Sequence, residues 1–99
     1  MNVTLLYFDD CPNWTVADKR LRQALDQAGH ADVAVAYRKV STPEEADAVE
    51  FRGSPTILID GSDPFLDRDA TVGLSCRVYA SEVGLTGAPT VDQLVAVLR

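Results

Sequence analysis

The chain of 99 residues predicts an α/β fold with its elements in the order β-α-β-α-β-β-α. Three observations predict it. Val3-Thr4-Leu5-Leu6-Tyr7-Phe8 is an apolar, β-branched run suited to a strand buried on both faces, and it leads straight into residues at helical spacing. Two further helix starts are written as capping boxes, Thr42-Pro43-Glu44-Glu45 and Thr90-Val91-Asp92-Gln93. Between them a proline opens a β-branched run, Pro55-Thr56-Ile57-Leu58-Ile59-Asp60, that ends at Gly61.

Taken in order, the first helix covers about residues 13 to 28, because Trp14, Ala17, Leu21, Ala24, Leu25 and Ala28 share one stripe. Asp18, Lys19, Arg22 and Asp26 mark its other side, and Gly29 supplies the stop. Pro12 suits the first helical position, where its missing N–H is not needed, and this puts Cys11 at the N-cap. Val33 to Val40 reads as the second strand; Val33, Val35 and Tyr37 alternate with Ala34, Ala36 and Arg38, as in an outer strand. The helix capped by Thr42 is short, ends near Phe51, and is closed by Arg52-Gly53. Thr56 to Asp60 is the third strand. A long acidic loop from Gly61 to Gly73 follows, and Leu74 to Tyr79 is the expected fourth strand. Asp63, Asp67 and Asp69 in that loop lack the alternating ligands and closing glutamate of a calcium loop. The last helix, about residues 91 to 98, buries Val91, Leu94, Val95 and Leu98. A right-handed crossover makes the first two strands parallel, and the third and fourth are expected to form an antiparallel hairpin.

Composition narrows the function. A hydrophobic share of 46% and a charged share of 24% are those of a single globular domain. Net charge is −6, and the one basic group, Lys19-Arg20 with Arg22, is a helix face; nucleic acid is not an expected partner. No apolar run approaches the ~20 residues that span a bilayer, so no membrane association is expected. The N-terminus does not read as a secretion signal, and two cysteines are too few for a disulfide scaffold, so the cytoplasm is the expected compartment. The single histidine, His30, follows the first helix at its far end, which leaves no four-ligand zinc set. Nothing calls for a metal or a cofactor.

Two stretches carry chemistry. Cys11 stands where a strand hands over to a helix, and the first-turn N–H groups and helix dipole favour a thiolate there. Asp9 and Asp10 oppose it, and the plain alternative is a small buried hydrophobe. Ser54-Pro55, at the mouth of the third strand, is a candidate for a cis peptide bond.

At these stretches the chain resembles the thioredoxin-like family, in which Cys-x-x-Cys or Cys-x-x-Ser opens a helix and a later cis-proline packs against the first cysteine. Cys11-Pro12-Asn13-Trp14 matches the first cysteine, and Ser54-Pro55-Thr56 matches the cis-proline segment. Trp14 stands where the second motif cysteine would be. The resemblance implies a four-stranded mixed sheet in the order 2-1-3-4 with helices on both faces. It also implies a substrate-binding groove at Pro12, Trp14, Ser54, Pro55 and Thr56 for a thiol or disulfide substrate, glutathione or an extended peptide. With Gly73-Leu74-Ser75-Cys76-Arg77-Val78-Tyr79, the chain is also similar to small bacterial thioredoxin-like proteins often labelled alkylmercury lyase. That label implies carbon–mercury cleavage by thiolates, with Asp9 or Asp10 as the acid.

Cys76 lies 21 residues after Pro55, with Phe65 at the centre of the stretch between them. A hairpin symmetric about that centre returns residue 76 to the level of residue 55, within reach of Cys11; a lopsided one leaves it an inert thiol in the strand. Given proximity, Cys11 is the expected nucleophile and Cys76 the resolving thiol. Two soft thiolates clamping Hg(II) or Cu(I) is the second chemistry. A non-catalytic module that binds a protein partner through the same groove is the rival class. Trp14 anchors the core or caps the thiol pocket, and Arg52 and Arg77 are the cations expected nearest the site, beside the alternative of exposed surface charges.

Overall fold

A computed structural model describes residues 1–67, 69–82 and 84–99. Strand β1 (Val3–Tyr7) has strand β2 (Val35–Lys39) on one side and strand β3 (Thr56–Ile59) on the other. β1 and β2 are parallel, with Leu5 beside Tyr37; β1 and β3 are antiparallel, with Leu5 beside Ile57. The apolar run that opens the chain thus becomes the central strand, and the alternating run becomes the outer one. Along β2 every residue from Ala36 to Lys39 is exposed, whereas β1 buries Val3, Leu5 and Leu6.

Alternation along β1 assigns its side chains to two cores. Val3 and Leu5 face helix α1 (Asn13–Gln27) and helix α3 (Val91–Leu98), where they pack with Ala17, Leu21, Leu25, Leu94 and Leu98. Leu6 faces the other way, into a smaller cluster with Val40, Ala46 of helix α2 (Pro43–Ala48) and Phe51. The helices therefore lie on both faces of the sheet. α3 carries the full capping box, Thr90 with Gln93; at α2 the Thr42 hydroxyl accepts from the Glu45 amide. α1 ends as its glycine predicts. Gly29 takes φ +83°, its amide returns to Asp26 and the His30 amide to Leu25.

The expected fourth strand is corrected. Leu74 to Tyr79 meets the sheet at a single parallel bridge, Ser54 with Cys76, instead of forming an antiparallel hairpin with β3. Pairing resumes further on, where β4 (Tyr79–Ser81) and β5 (Gly84–Thr86) form a separate antiparallel pair. Among the described residues the architecture is a three-stranded mixed sheet, a two-stranded sheet and three helices, and the sheet order 2-1-3-4 is not formed. No helix among them is long and apolar enough to cross a membrane.

Phe51 is the largest fully buried side chain of the smaller core. Phe51→Ala is expected to lower the unfolding free energy by about 3–5 kcal/mol, a large part of a small domain's ~5–15 kcal/mol. Urea titration checks this; a loss under about 1 kcal/mol would show that the cluster is not close-packed.

Candidate dithiol site

Three segments meet at the end of β1. The first is the turn after it, where the Cys11 amide donates to the Phe8 carbonyl at 3.0 Å. Pro12 is the helix N-cap, so Cys11 sits one residue before the cap instead of at the cap, its expected position. The second is the mouth of β3, where the Ser54–Pro55 bond is cis, as its junction predicts. The Ser54 hydroxyl accepts from the Phe8 amide at 3.1 Å and ties this mouth to β1. The third is the segment carrying Cys76.

That third segment lies along Ser54 like an added strand. The Ser54 amide donates to the Ser75 carbonyl at 2.7 Å, and the Arg77 amide donates to the Ser54 carbonyl at 2.9 Å. Cys76, between them, is joined to Cys11 by a disulfide with a Cα–Cα distance of 5.7 Å, inside the usual range for such bonds. The symmetric-loop expectation is right about level and wrong about direction: residue 76 arrives beside residue 54, running parallel. The two sulfurs differ sharply in surroundings. Cys11 is 0% exposed, and its sulfur lies 3.5 Å from the Ser54 carbonyl oxygen; Cys76 is exposed.

Arg77 holds this arrangement. It is 6% exposed, and its guanidinium donates to the Asp63 carboxylate at 2.7 Å, to the Thr56 hydroxyl at 3.3 Å and to the Phe65 carbonyl, while lying over the Tyr79 ring. Burial holds the Tyr79 phenol above its ordinary range, and its hydroxyl donates to the Pro55 carbonyl at 2.5 Å. Gly53 makes room for the approach, since a Cβ there would fall 2.9 Å from the Arg77 Cβ. Arg77 is thus a buried structural cation rather than a surface charge, and Arg52 is turned away, donating through Nε to the Ala70 carbonyl.

The remaining expected groove residues divide. Pro12 is exposed; Ser54, Pro55 and Thr56 are buried, and the Thr56 hydroxyl donates to the Gly53 carbonyl at 2.7 Å. Trp14 is half-buried, stacked on Tyr7 with ring centroids 4.4 Å apart, and it packs against the larger core. Asp9 is paired with Lys39 across the neighbouring strand end. His30 lies past the far end of α1. Asp63, Phe65 and Tyr79 escape a linear reading, although one signal was present: an arginine inside an otherwise apolar run, following an acidic loop, demands a counter-charge. No family model matches the chain, and neither the curated proteins nor the solved structures contain a match.

Two predictions follow from these contacts. The disulfide spans 65 residues, for which the chain-entropy relation gives about 4 kcal/mol. Reduction, or Cys76→Ser, should therefore lower the unfolding free energy read from urea titration by an amount approaching that value; an unchanged free energy would mean that the bond does not form in solution. Tyr79→Phe should cost about 1 kcal/mol at neutral pH by removing the bond to Pro55. Because the folded phenol's pKa is raised, the stability linked to its proton is fully present below about pH 10 and is lost as pH climbs towards the raised value. The gap between wild type and Tyr79→Phe should narrow above about pH 10 in urea titrations; a constant gap would refute the linkage.

Proposed function

We infer that the chain is a thioredoxin-like thiol–disulfide exchange protein whose working groups are Cys11 and Cys76. The observation that carries this reading is their disulfide, formed between a strand-to-helix turn and a segment bridged to the residue before a cis-proline. The core order β2-β1-β3 supports it, with residues 75–77 standing beside Ser54 where a fourth strand would begin. In the cytoplasm, the compartment proposed for this chain, glutathione and thioredoxin systems keep thiols reduced, so such a pair cycles instead of staying closed.

The rival readings are supported less. A binding module that takes an extended peptide at the cis-proline needs the Ser54 amide and carbonyl, and both already serve residues 75 and 77. Thiophilic metal binding keeps one favourable observation, two cysteines brought to one place, and in the reduced protein they would suit a two-coordinate Hg(II) or Cu(I) ion. Carbon–mercury cleavage also needs an acid; Asp9 is engaged with Lys39, which leaves Asp10, exposed in the turn after β1, as the candidate of the two.

Mild oxidation followed by peptide mapping is expected to recover a Cys11–Cys76 linked pair, and glutathione disulfide reduction is expected to fall by about 100-fold or more in Cys11→Ser and in Cys76→Ser. Free thiols after oxidation, or wild-type turnover in either variant, would remove the reading.

A further inference from the structure

The geometry assigns the entry role to Cys76 and the resolving role to Cys11, the reverse of what the position of Cys11 in the sequence suggests; the assignment rests on the exchange reading above and specifies its substrate as a small, freely diffusing thiol or disulfide. Disulfide exchange proceeds by attack of a thiolate on one sulfur, and access decides which sulfur is attacked. Cys11 is 0% exposed, held in the turn after β1 with its sulfur against the Ser54 carbonyl, so an external thiolate has no path to it. The reachable surface of the pair belongs to Cys76, on an exposed stretch between Ser75 and Val78 in which Val78 is 65% exposed and the intervening Arg77 is turned inward.

The steps balance. A thiolate RS⁻ bonds to the Cys76 sulfur, the Cys11–Cys76 bond breaks, and its electron pair goes to Cys11; the chain then carries R–S–S–Cys76 and a Cys11 thiolate. A second thiolate attacks the R sulfur, releasing RSSR and a Cys76 thiolate, so two thiols are oxidised to one disulfide and the protein is reduced. With a disulfide as substrate the order is inverted. The Cys76 thiolate attacks RSSR and expels RS⁻, and Cys11 then attacks the Cys76 sulfur and expels the second RS⁻. A small reactant is indicated because docking of a protein strand at Ser54 is blocked by the chain's own residues 75 and 77.

The test uses the wild-type chain. The protein is reduced, freed of reductant, pulsed under native conditions with substoichiometric iodoacetamide, then unfolded and blocked with N-ethylmaleimide before peptide mapping. Carbamidomethylation of Cys76 should exceed that of Cys11 by about tenfold or more, and the preference should vanish when the pulse is given in denaturant. Equal or earlier labelling of Cys11 in the native pulse overturns the assignment. Glutathione disulfide gives the second arm: Cys11→Ser should collect glutathione on Cys76 at the rate of the first wild-type step, and Cys76→Ser should be modified about tenfold more slowly. Equal rates in the two variants overturn it as well. Failure of oxidised wild type to form the Cys11–Cys76 bond is the distinct result that removes the exchange reading itself.

Discussion

A guanidinium withdrawn from water must be fully paired, and the return of the chain to the mouth of β3 is organised by that requirement. Arg77 draws the Asp63 carboxylate, the Phe65 carbonyl, the Thr56 hydroxyl and the Tyr79 ring around itself. An uncompensated buried charge would cost several kcal/mol, so the loop after β3 is bound to the arginine that follows it. Its backbone is fixed in turn, since the Arg77 amide donates to Ser54 and Gly53, at φ +115°, leaves space that a Cβ would fill. Cys76, one residue earlier, is carried to Cys11 by these contacts.

Magnitudes decide how far the site depends on its covalent link. A bond closing 65 residues contributes about 4 kcal/mol by restricting the unfolded chain. Each neutral hydrogen bond along Ser54 contributes about 1 kcal/mol, and bonds to the Arg77 cation somewhat more. Together the non-covalent contacts rival the disulfide. Residues 75–77 therefore keep a reason to remain at Ser54 when the sulfurs part, and that retention favours re-closure over loss of the segment to solvent.

Legibility in the sequence follows the range of the interaction. The three helices were readable because their signals are local: an apolar stripe ended by Gly29, and capping residues at Thr42 and Thr90. The first three strands were readable from apolar content and alternation, and the cis bond from a proline at a strand mouth. Leu74 to Tyr79 misled because its strand-like composition hides a residue whose partners lie 12 to 21 positions back. Contour length alone sets the level of Cys76; its direction depends on how the loop satisfies Arg77, which contour length does not encode. The β4–β5 pair escapes a linear reading because its strands are three residues each, too short to show a period.

The position of the second sulfur has a consequence beyond chemistry. In a Cys-x-x-Cys motif both thiols sit on one helical turn, and closing so short a ring restricts the unfolded chain by only about 2 kcal/mol. Here Trp14 takes the position four along from Cys11 counting both ends, and its ring is used in stacking on Tyr7 and packing the larger core. The partner sulfur comes from 65 residues away, so opening and closing the bond changes global stability about twice as much. Redox state and fold stability are consequently tied together more tightly than in a motif confined to one turn. The buried arginine offsets that coupling, because it holds the two halves of the site together through contacts that no thiol reagent touches.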